Sequence, residues 1–172
     1  MGLHKFYHVD RFKQLKEGDV LQLNERNLSR FGSIYWDAIT TKLFNQMTDA
    51  EQREFLLEDI KQGSKYAAYI SRMQAFFGSN SLEDAKRFYE AINPKQDHPV
   101  PVYEVFASKF WSLDMNWLDF SNPNLAERRA DCVDYWHARI SNHNPESGDR
   151  RGPLLEVMMA LPVTVGKIAT WL

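Results

Sequence analysis

The sequence predicts an α+β fold, because segments with strand character and segments with helix character follow one another without strict alternation. Its 172 residues fit one ordinary domain, and a hydrophobic content of 44% is typical of a globular core. The chain has neither a G-x-G-x-x-G pattern nor a phosphate-binding P-loop. We therefore expect one domain over 1–172, in which any dinucleotide would bind in a non-Rossmann manner.

Six segments favour β-strands, because they are short and rich in β-branched and aromatic residues. They are 4–9, 20–23, 73–78, 100–107, 154–160 and 163–170. Leu161-Pro162 separates the last two segments and predicts a tight connection between them. Because this strand pair comes last in the sequence, we expect it to complete the sheet structure.

Four segments favour helices, and the second and third of them have start and stop signals. They are 25–47, 48–61, 81–92 and 125–140. Gly32 is expected to interrupt the first helix, and a capping box at 48–51 begins the second, which Gly63 ends. Acidic residues in the first turn support the third helix. We expect irregular structure over 111–120 and a surface loop over 141–152.

Charge and cysteine content restrict the class of protein. The net charge of −2 gives no general attraction to nucleic acid, although local patches at 127–129 and 149–151 could meet phosphates if they converge. A single Cys132 cannot form an internal disulfide, which favours a cytoplasmic protein. The start of the chain is too polar for a signal peptide, and no apolar run approaches the ~20 residues of a membrane span.

Glu156 is the most unusual charge in the sequence. It is the only charged residue of the run 153–160, and in a strand it shares a face with Leu154 and Met158. A carboxylate on an apolar face is costly to bury, so Glu156 either faces solvent or serves a function. The same argument applies to Glu104, which is the only charged residue of its own apolar strand. The pattern alone does not choose between the two glutamates.

Other candidate site residues have ordinary structural explanations as well. His8 and His4 share a strand face, but no carboxylate or cysteine at a suitable spacing supports a metal site. Arg72, just before a strand, is either a surface ion-pair residue or a clamp for phosphate or carboxylate groups. Tyr135 is either a core residue or a flat face for a ligand. Cys132 lacks the partners of a thiol nucleophile.

Three parts of the chain resemble the ADP-ribosyltransferase superfamily, and in particular an uncharacterised bacterial family grouped with it. The first part is the opening FYHV of 6–9 with the second strand at 18–23. The second is SRMQAFF at 71–77 followed by SLEDAKRF at 81–88. The third is Tyr135-Trp136 together with Leu155-Glu156-Val157. The order of these motifs covers nearly the whole chain, but 26–62 adds nothing to the resemblance.

The resemblance implies a split β-sandwich with flanking helices, in which two small sheets hold NAD⁺ in the cleft between them. By matching position, Glu156 would be the catalytic carboxylate that contacts the nicotinamide ribose. His8 on the first strand would contact the ribose and the nicotinamide amide, and Tyr7 and Arg72 are further cofactor-binding candidates. Phe77 and Tyr135 are the candidates for stacking on nicotinamide. No metal is implied.

The activity implied by the resemblance is transfer of ADP-ribose from NAD⁺ to a macromolecule. We expect a nucleic-acid base as the acceptor, with RNA favoured over DNA, and a protein side chain as the alternative. An intracellular toxin of a toxin–antitoxin or phage-defence system would suit such an activity, with an antitoxin protein as a possible partner. A non-catalytic module of the same fold, with the aromatic run 110–120 as its interface, is the rival interpretation.

Overall fold

The computed structural model describes residues 2–63, 65–91, 96–118, 124–141 and 153–172, with only the backbone described at 66–67. Its seven strands are β1 (His4–Val9), β2 (Val20–Leu21), β3 (Ala75–Gly78), β4 (Pro101–Ala107), β5 (Phe110–Asp114), β6 (Leu155–Ala160) and β7 (Val163–Trp171). Its four α-helices are α1 (Arg30–Thr41), α2 (Asp49–Gln62), α3 (Leu82–Ala91) and α4 (Leu125–Trp136). Within the described ranges, these helices are too short or too polar to span a membrane.

The strands form two antiparallel sheets, so the fold is α+β. The larger sheet has the order β1-β4-β7-β2, and the smaller has the order β3-β6-β5. One isolated bridge joins the backbones of the two sheets among the described residues, where Tyr7 and Ser79 exchange hydrogen bonds of 3.0 and 2.8 Å. β1 and β3 form no continuous ladder, so the structure has two sheets rather than one.

The two faces of the smaller sheet pack against different layers. Because neighbouring side chains of a strand alternate, Phe76 and Phe77 point to opposite faces of β3. The face that carries Phe76 packs on the larger sheet through a cluster that includes Val157, Met159 and Val165. The other face packs on α2 and α4 in a second cluster. Phe77 and Glu156 belong to this helix-covered face.

The remaining helices cover the larger sheet and the edge of the smaller one. α3 packs on β1 through Ala85, which contacts a cluster around Val9. α1 packs against the turn before β3, where a Cβ on Gly32 would lie 1.9 Å from the carbonyl oxygen of Met73. Only glycine permits this close approach, so Gly32 lets α1 pack directly against the turn that precedes β3.

The structure corrects several sequence predictions. Helix α1 starts at Arg30 and ends at Thr41, and Gly32 lies inside it rather than interrupting it. Most of β5 lies in 111–120, the stretch predicted to be irregular. Its aromatic residues belong to a regular strand, which is packed between two layers of the fold. Helix α4 ends at Trp136, four residues early, and β2 keeps only two residues. The predicted loop lies outside the described residues from 142 to 152.

Candidate functional site

Arg72 lies at the centre of a buried polar cluster between the smaller sheet and α2. It begins a short 3₁₀ turn, Arg72–Gln74, which leads directly into β3. The hydroxyl of Ser71 caps this turn by accepting a hydrogen bond from the backbone N–H of Met73 at 3.0 Å. Arg72 is only 4% exposed, so its guanidinium must be satisfied by the protein.

One edge of the guanidinium faces Glu54 of α2, which is fully buried. Nε of Arg72 donates to Oε2 of Glu54 at 2.9 Å, and Nη2 donates to Oε1 at 3.5 Å. Nε of Arg53 donates to the same Oε1 at 3.0 Å. Glu54 therefore has two cationic partners in the protein, which offsets the cost of burying its charge.

The other end of the guanidinium faces Glu156 of β6, which is 9% exposed. Nη1 of Arg72 donates to Oε1 of Glu156 at 2.5 Å, and the hydroxyl of Tyr135 donates to the same oxygen at 2.6 Å. That hydroxyl also accepts a hydrogen bond from Nη1. Two hydrogen bonds therefore fix Oε1 of Glu156, whereas Oε2 has no hydrogen-bond partner among the described residues.

Aromatic rings surround the cation. The ring centres of Phe77, Tyr135 and Phe31 lie 4.6, 5.3 and 5.4 Å from Cζ of Arg72. Phe31 of α1 also packs edge-on against Phe77, with ring centres 4.8 Å apart. Rings at these distances stabilise a cation and exclude water. Phe77 and Phe31 are only partly buried, so they form the outer wall of the cluster.

The charges of the cluster fix the protonation of its members. Burial alone lowers the pKa of Arg72, but Glu156 and Glu54 together hold it well above its usual value, so Arg72 stays a cation. Burial raises the pKa of the Tyr135 hydroxyl, which stays protonated and able to donate. The arrangement can therefore present one solvent-accessible carboxylate oxygen next to a buried cation that aromatic rings surround, where charge interactions are stronger than in water.

His8 lies on the other face of β3. Its ring is 4.4 Å from that of Phe76, and its Nδ1 is 2.7 Å from the carbonyl oxygen of Phe77. Because a carbonyl only accepts, Nδ1 carries the proton and donates. Burial lowers the pKa of His8, so the ring is neutral at pH 7 and Nε2 is an acceptor.

A small cavity opens on the same side as Phe76. Its volume is about 130 Å³, and its walls come from β2, from the start of α1 and from the connection between β6 and β7. Its lining residues are Val20, Leu21, Gln22, Ser29, Arg30, Phe76 and Leu161. Pockets for whole cofactors are usually ~300 Å³ or more. This cavity fits one ring system at most and does not include Glu156.

The site residues expected from the sequence thus fall into separate places. Glu156, Arg72, Phe77 and Tyr135 come together, whereas His8 lies across β3 from them. Tyr7 is in neither group, because it packs with Val9 and Ala85 against α3.

Glu104, which the sequence pattern could not distinguish from Glu156, forms an ion pair with Lys5. Oε1 of Glu104 lies 3.3 Å from Nζ of Lys5, whose side chain is 47% exposed. The two glutamates therefore differ in environment: the Glu104 pair reaches solvent, and the Glu156 pair is enclosed.

Two residues of the cluster escaped sequence reasoning. Glu54 and Phe31 both lie in 26–62, the part of the chain that adds nothing to the resemblance. Glu54 precedes Leu57 by three positions and so lies on the same face of α2 as that buried residue. A charge at such a position was a usable signal, but many surface helices show it. No pattern in the sequence predicts the contact between Phe31 and Arg72.

Other sequence candidates have structural roles in the described parts of the chain. Arg128 binds Gln52, and Arg129 forms an ion pair with Asp59 at 3.0 Å, so both arginines tie α4 to α2. The second basic patch, 149–151, lies outside the described residues. Burial raises the pKa of the Cys132 thiol to about 12, which keeps it unreactive near neutral pH.

The aromatic run 110–120 is built into the fold as far as it is described. Phe110 packs between the sheets, and Trp111 and Trp117 pack on the helix-side cluster. The described residues contain no group of three or more His, Cys, Asp or Glu side chains arranged to hold a metal ion. These findings leave the Arg72 cluster as the candidate site.

The comparisons with known proteins give a family without a known activity. Residues 6–148 match the model of a family described as "Protein of unknown function (DUF2441)". No curated protein matches the chain. Since the match covers most of the 172 residues, the chain belongs to the DUF2441 family.

Proposed function

We propose that this chain is a mono-ADP-ribosyltransferase that cleaves NAD⁺, with Glu156 as its catalytic carboxylate. The observation that carries the proposal is the state of that carboxylate. Arg72 and Tyr135 hold Oε1, while Oε2 has no partner among the described residues. The half-buried ring of Phe77 lies against the same guanidinium. The resemblance in sequence to the ADP-ribosyltransferase superfamily supplies the reaction, and the division of the strands into two antiparallel sheets is compatible with it.

The chemistry needs a fixed negative charge. The bond between ribose C1′ and the nicotinamide nitrogen breaks, and nicotinamide leaves with the electron pair, so positive charge develops on the sugar. A carboxylate that is already oriented stabilises that charge most in the transition state. A new bond then forms between C1′ and the acceptor, whose proton passes to a base, and Glu156 is the candidate for this base.

His8 has a supporting role in this proposal. Its Nδ1 is committed to the Phe77 carbonyl, so the neutral ring offers Nε2 as an acceptor for a ribose hydroxyl or an amide N–H. Because His8 and Glu156 lie on opposite faces of the smaller sheet, the dinucleotide would have to extend around the end of β3. The cavity beside Phe76 has room for one of its rings only.

The test is release of nicotinamide from NAD⁺ by purified wild type, Glu156→Gln and Glu104→Gln, followed by chromatography. Gln keeps the shape of the side chain but removes its charge, so we expect E156Q to lose at least ~100-fold in rate, as when one preorganised electrostatic contact is removed. E104Q is the matched control, because it removes a strand glutamate from a solvent-accessible ion pair. Equal rates for wild type and E156Q would reject the role of Glu156.

For the acceptor we propose a nucleic-acid base, with a protein side chain as the alternative. Labelled NAD⁺ in a bacterial extract distinguishes them, since the label is lost on nuclease treatment in the first case and on protease treatment in the second. An intracellular toxin of a toxin–antitoxin or phage-defence system is the biological role that suits this activity. Expression of wild type should then arrest growth of a bacterial host, and E156Q should not.

A non-catalytic module is the second candidate, and the ion pairing of Glu156 is the observation in its favour. A buried carboxylate bound to arginine and tyrosine also serves as an ordinary structural contact. A thermal-shift titration with NAD⁺ separates the two candidates, because a ligand of the folded state raises the melting temperature by mass action. No shift at millimolar NAD⁺ would favour the module.

A further inference from the structure

We propose that Glu54 of α2 is a positioning residue, which orients the Glu156 carboxylate through the guanidinium of Arg72. The inference rests on the proposed function, because it gives Glu156 a reaction to serve. It assigns a role in the site to the segment 26–62, which the resemblance leaves unexplained.

The geometry of Arg72 carries the first step. The guanidinium is planar and rigid, and its donors diverge in fixed directions. Glu54 takes the edge formed by Nε and Nη2, and Glu156 takes Nη1. A displacement of the guanidinium at one end therefore moves the donor at the other. The position of Nη1, which holds Oε1 of Glu156, depends on the contact made by Glu54.

Burial carries the second step. Glu54 is 0% exposed and Arg72 is 4% exposed, so water cannot replace either partner at low cost. Arg72 also lies against Phe77 and Phe31, which restrict its movement out of the plane of the contact. The guanidinium has one orientation in which it donates hydrogen bonds to both carboxylates. In this orientation Oε1 of Glu156 faces the buried Arg72.

Charge balance carries the third step. Arg72 is shared between two carboxylates, so Glu54 competes with Glu156 for its positive charge. Without the charge of Glu54, the whole cation would be drawn to Glu156 and could take up both of its oxygens as a bidentate pair. Glu54 therefore keeps Oε2 of Glu156 available for the sugar.

A neighbouring glutamate offers a matched control. Glu58 lies one turn after Glu54 on α2 and is 6% exposed. Its Oε1 accepts a hydrogen bond from the Ser71 hydroxyl at 2.7 Å, and its carboxylate also faces the backbone N–H of Arg72, but it makes no hydrogen bond to the guanidinium. Glu58→Gln keeps an acceptor oxygen for these donors and removes the charge of a buried glutamate without removing a partner of the guanidinium.

The experiment measures kcat and KM for nicotinamide release with wild type, E54Q, E54D, E58Q, E156Q and the double variant E54Q/E156Q. We expect E54Q to lower kcat by about 10- to 100-fold, the order expected when a reacting group is misplaced. KM should change less than about twofold, since Glu54 does not contact the substrate. E58Q should keep the wild-type kcat, and the double variant should be no slower than E156Q, because Glu54 acts only through Glu156.

The order of E54D and E54Q separates positioning from packing. Gln has the shape of Glu without its charge, whereas Asp keeps the charge and leaves a gap. If Glu54 acts through charge, E54D retains more kcat than E54Q; if it only fills space, the order is reversed. All rates are measured below the melting temperature of each variant. If E54Q does not fold, E54D takes its place in the double variant with E156Q, where a kcat no lower than that of E156Q is expected and additive losses would overturn the role of Glu54.

The failure of this inference differs from the failure of the proposed function. An active wild type with E54Q as fast as E58Q, or with additive losses in the double variant, would overturn the role of Glu54 and leave that of Glu156 intact. A wild type that releases no nicotinamide from NAD⁺ would instead overturn the proposed function itself.

Discussion

The two faces of the smaller sheet bury different kinds of side chain, although they belong to the same three strands. The face towards the larger sheet is apolar, with Val157 and Met159 at its centre. The face towards the helices encloses Arg72, Glu54 and Glu156. Side chains that project from helices can reach into the sheet and supply the partners of a buried charge. The comparison teaches that, at the centre of this sheet, ion-paired charges are buried on the face that a helix opposes and apolar side chains on the face that the second sheet opposes.

The largest expected effect comes from removing the cation of the helix-covered face. Arg72→Met keeps an unbranched, apolar side chain but leaves two buried carboxylates facing each other. Breaking a buried ion pair from one side typically costs ~3–5 kcal/mol, so we expect a loss of this order in the free energy of unfolding. Urea denaturation followed by circular dichroism measures it.

Lys5→Met is the control for that variant. It breaks the ion pair with Glu104 on the larger sheet, where the lysine side chain is 47% exposed. Solvent screens such a pair, so no appreciable change in stability is expected. If Arg72→Met were as stable as Lys5→Met, the charged cluster would not be a strong structural contact, and the contrast between the two ion pairs would be lost.

The comparison also shows how far the sequence could lead. Short runs of apolar, aromatic and β-branched residues were enough to predict β1 and β6, because strands that pack on other layers are built from such residues. The same pattern left Glu104 and Glu156 equivalent, since the difference between them lies in what the opposing layer contributes. Arg72 reaches Glu156 from 84 positions away in sequence, and no local pattern encodes such a contact. The segment that contains β5 was predicted to be irregular because it mixes aromatic and acidic residues, and its acidic Asp114 turns out to be buried at the end of the strand.

Asp114 is another buried carboxylate, and it differs from Glu54 and Glu156 because hydrogen bonds, rather than an arginine, balance its charge. Asp114, at the end of β5, is 0% exposed and forms no ion pair with the described residues. It accepts hydrogen bonds from the backbone N–H and hydroxyl of Ser141, both at 2.7 Å, and from the N–H groups of Asn116 and Leu154 at 3.0 and 3.2 Å. It therefore joins the end of β5 to the segment that enters β6.

Asp114→Asn tests this arrangement. The amide nitrogen of Asn cannot accept, so at least one of these donors loses its partner inside the protein. Hydrogen bonds to charged groups contribute ~1.5–3 kcal/mol each, and we expect a loss of about that size in the free energy of unfolding. Asp37→Asn is the control, since Asp37 pairs with Arg26 on the surface of α1. A loss in Asp114→Asn no greater than in the control would show that the hydrogen bonds of Asp114 contribute little.

The smallest expected effect concerns His8, whose ring packs on Phe76 on the face towards the larger sheet. Burial lowers the pKa of His8 below its ordinary value of 6.5. In acid the unfolded chain therefore binds a proton at this position before the folded chain does. Stability contributed by neutral His8 is fully present above pH ~6.5 and declines as the pH falls below that value. His8→Gln retains hydrogen-bonding groups but does not titrate.

The measurement is the free energy of unfolding of wild type and His8→Gln between pH 8 and pH 5, at about half-unit steps. Asp10, Arg11 and Arg30 also influence the pKa of His8, but all three are kept in the variant, so the difference between the two curves isolates the imidazole. We expect wild type to lose more stability than His8→Gln on acidification. Parallel curves would mean that His8 titrates alike in the folded and unfolded chains, which would contradict its enclosure between Phe76 and the carbonyl of Phe77.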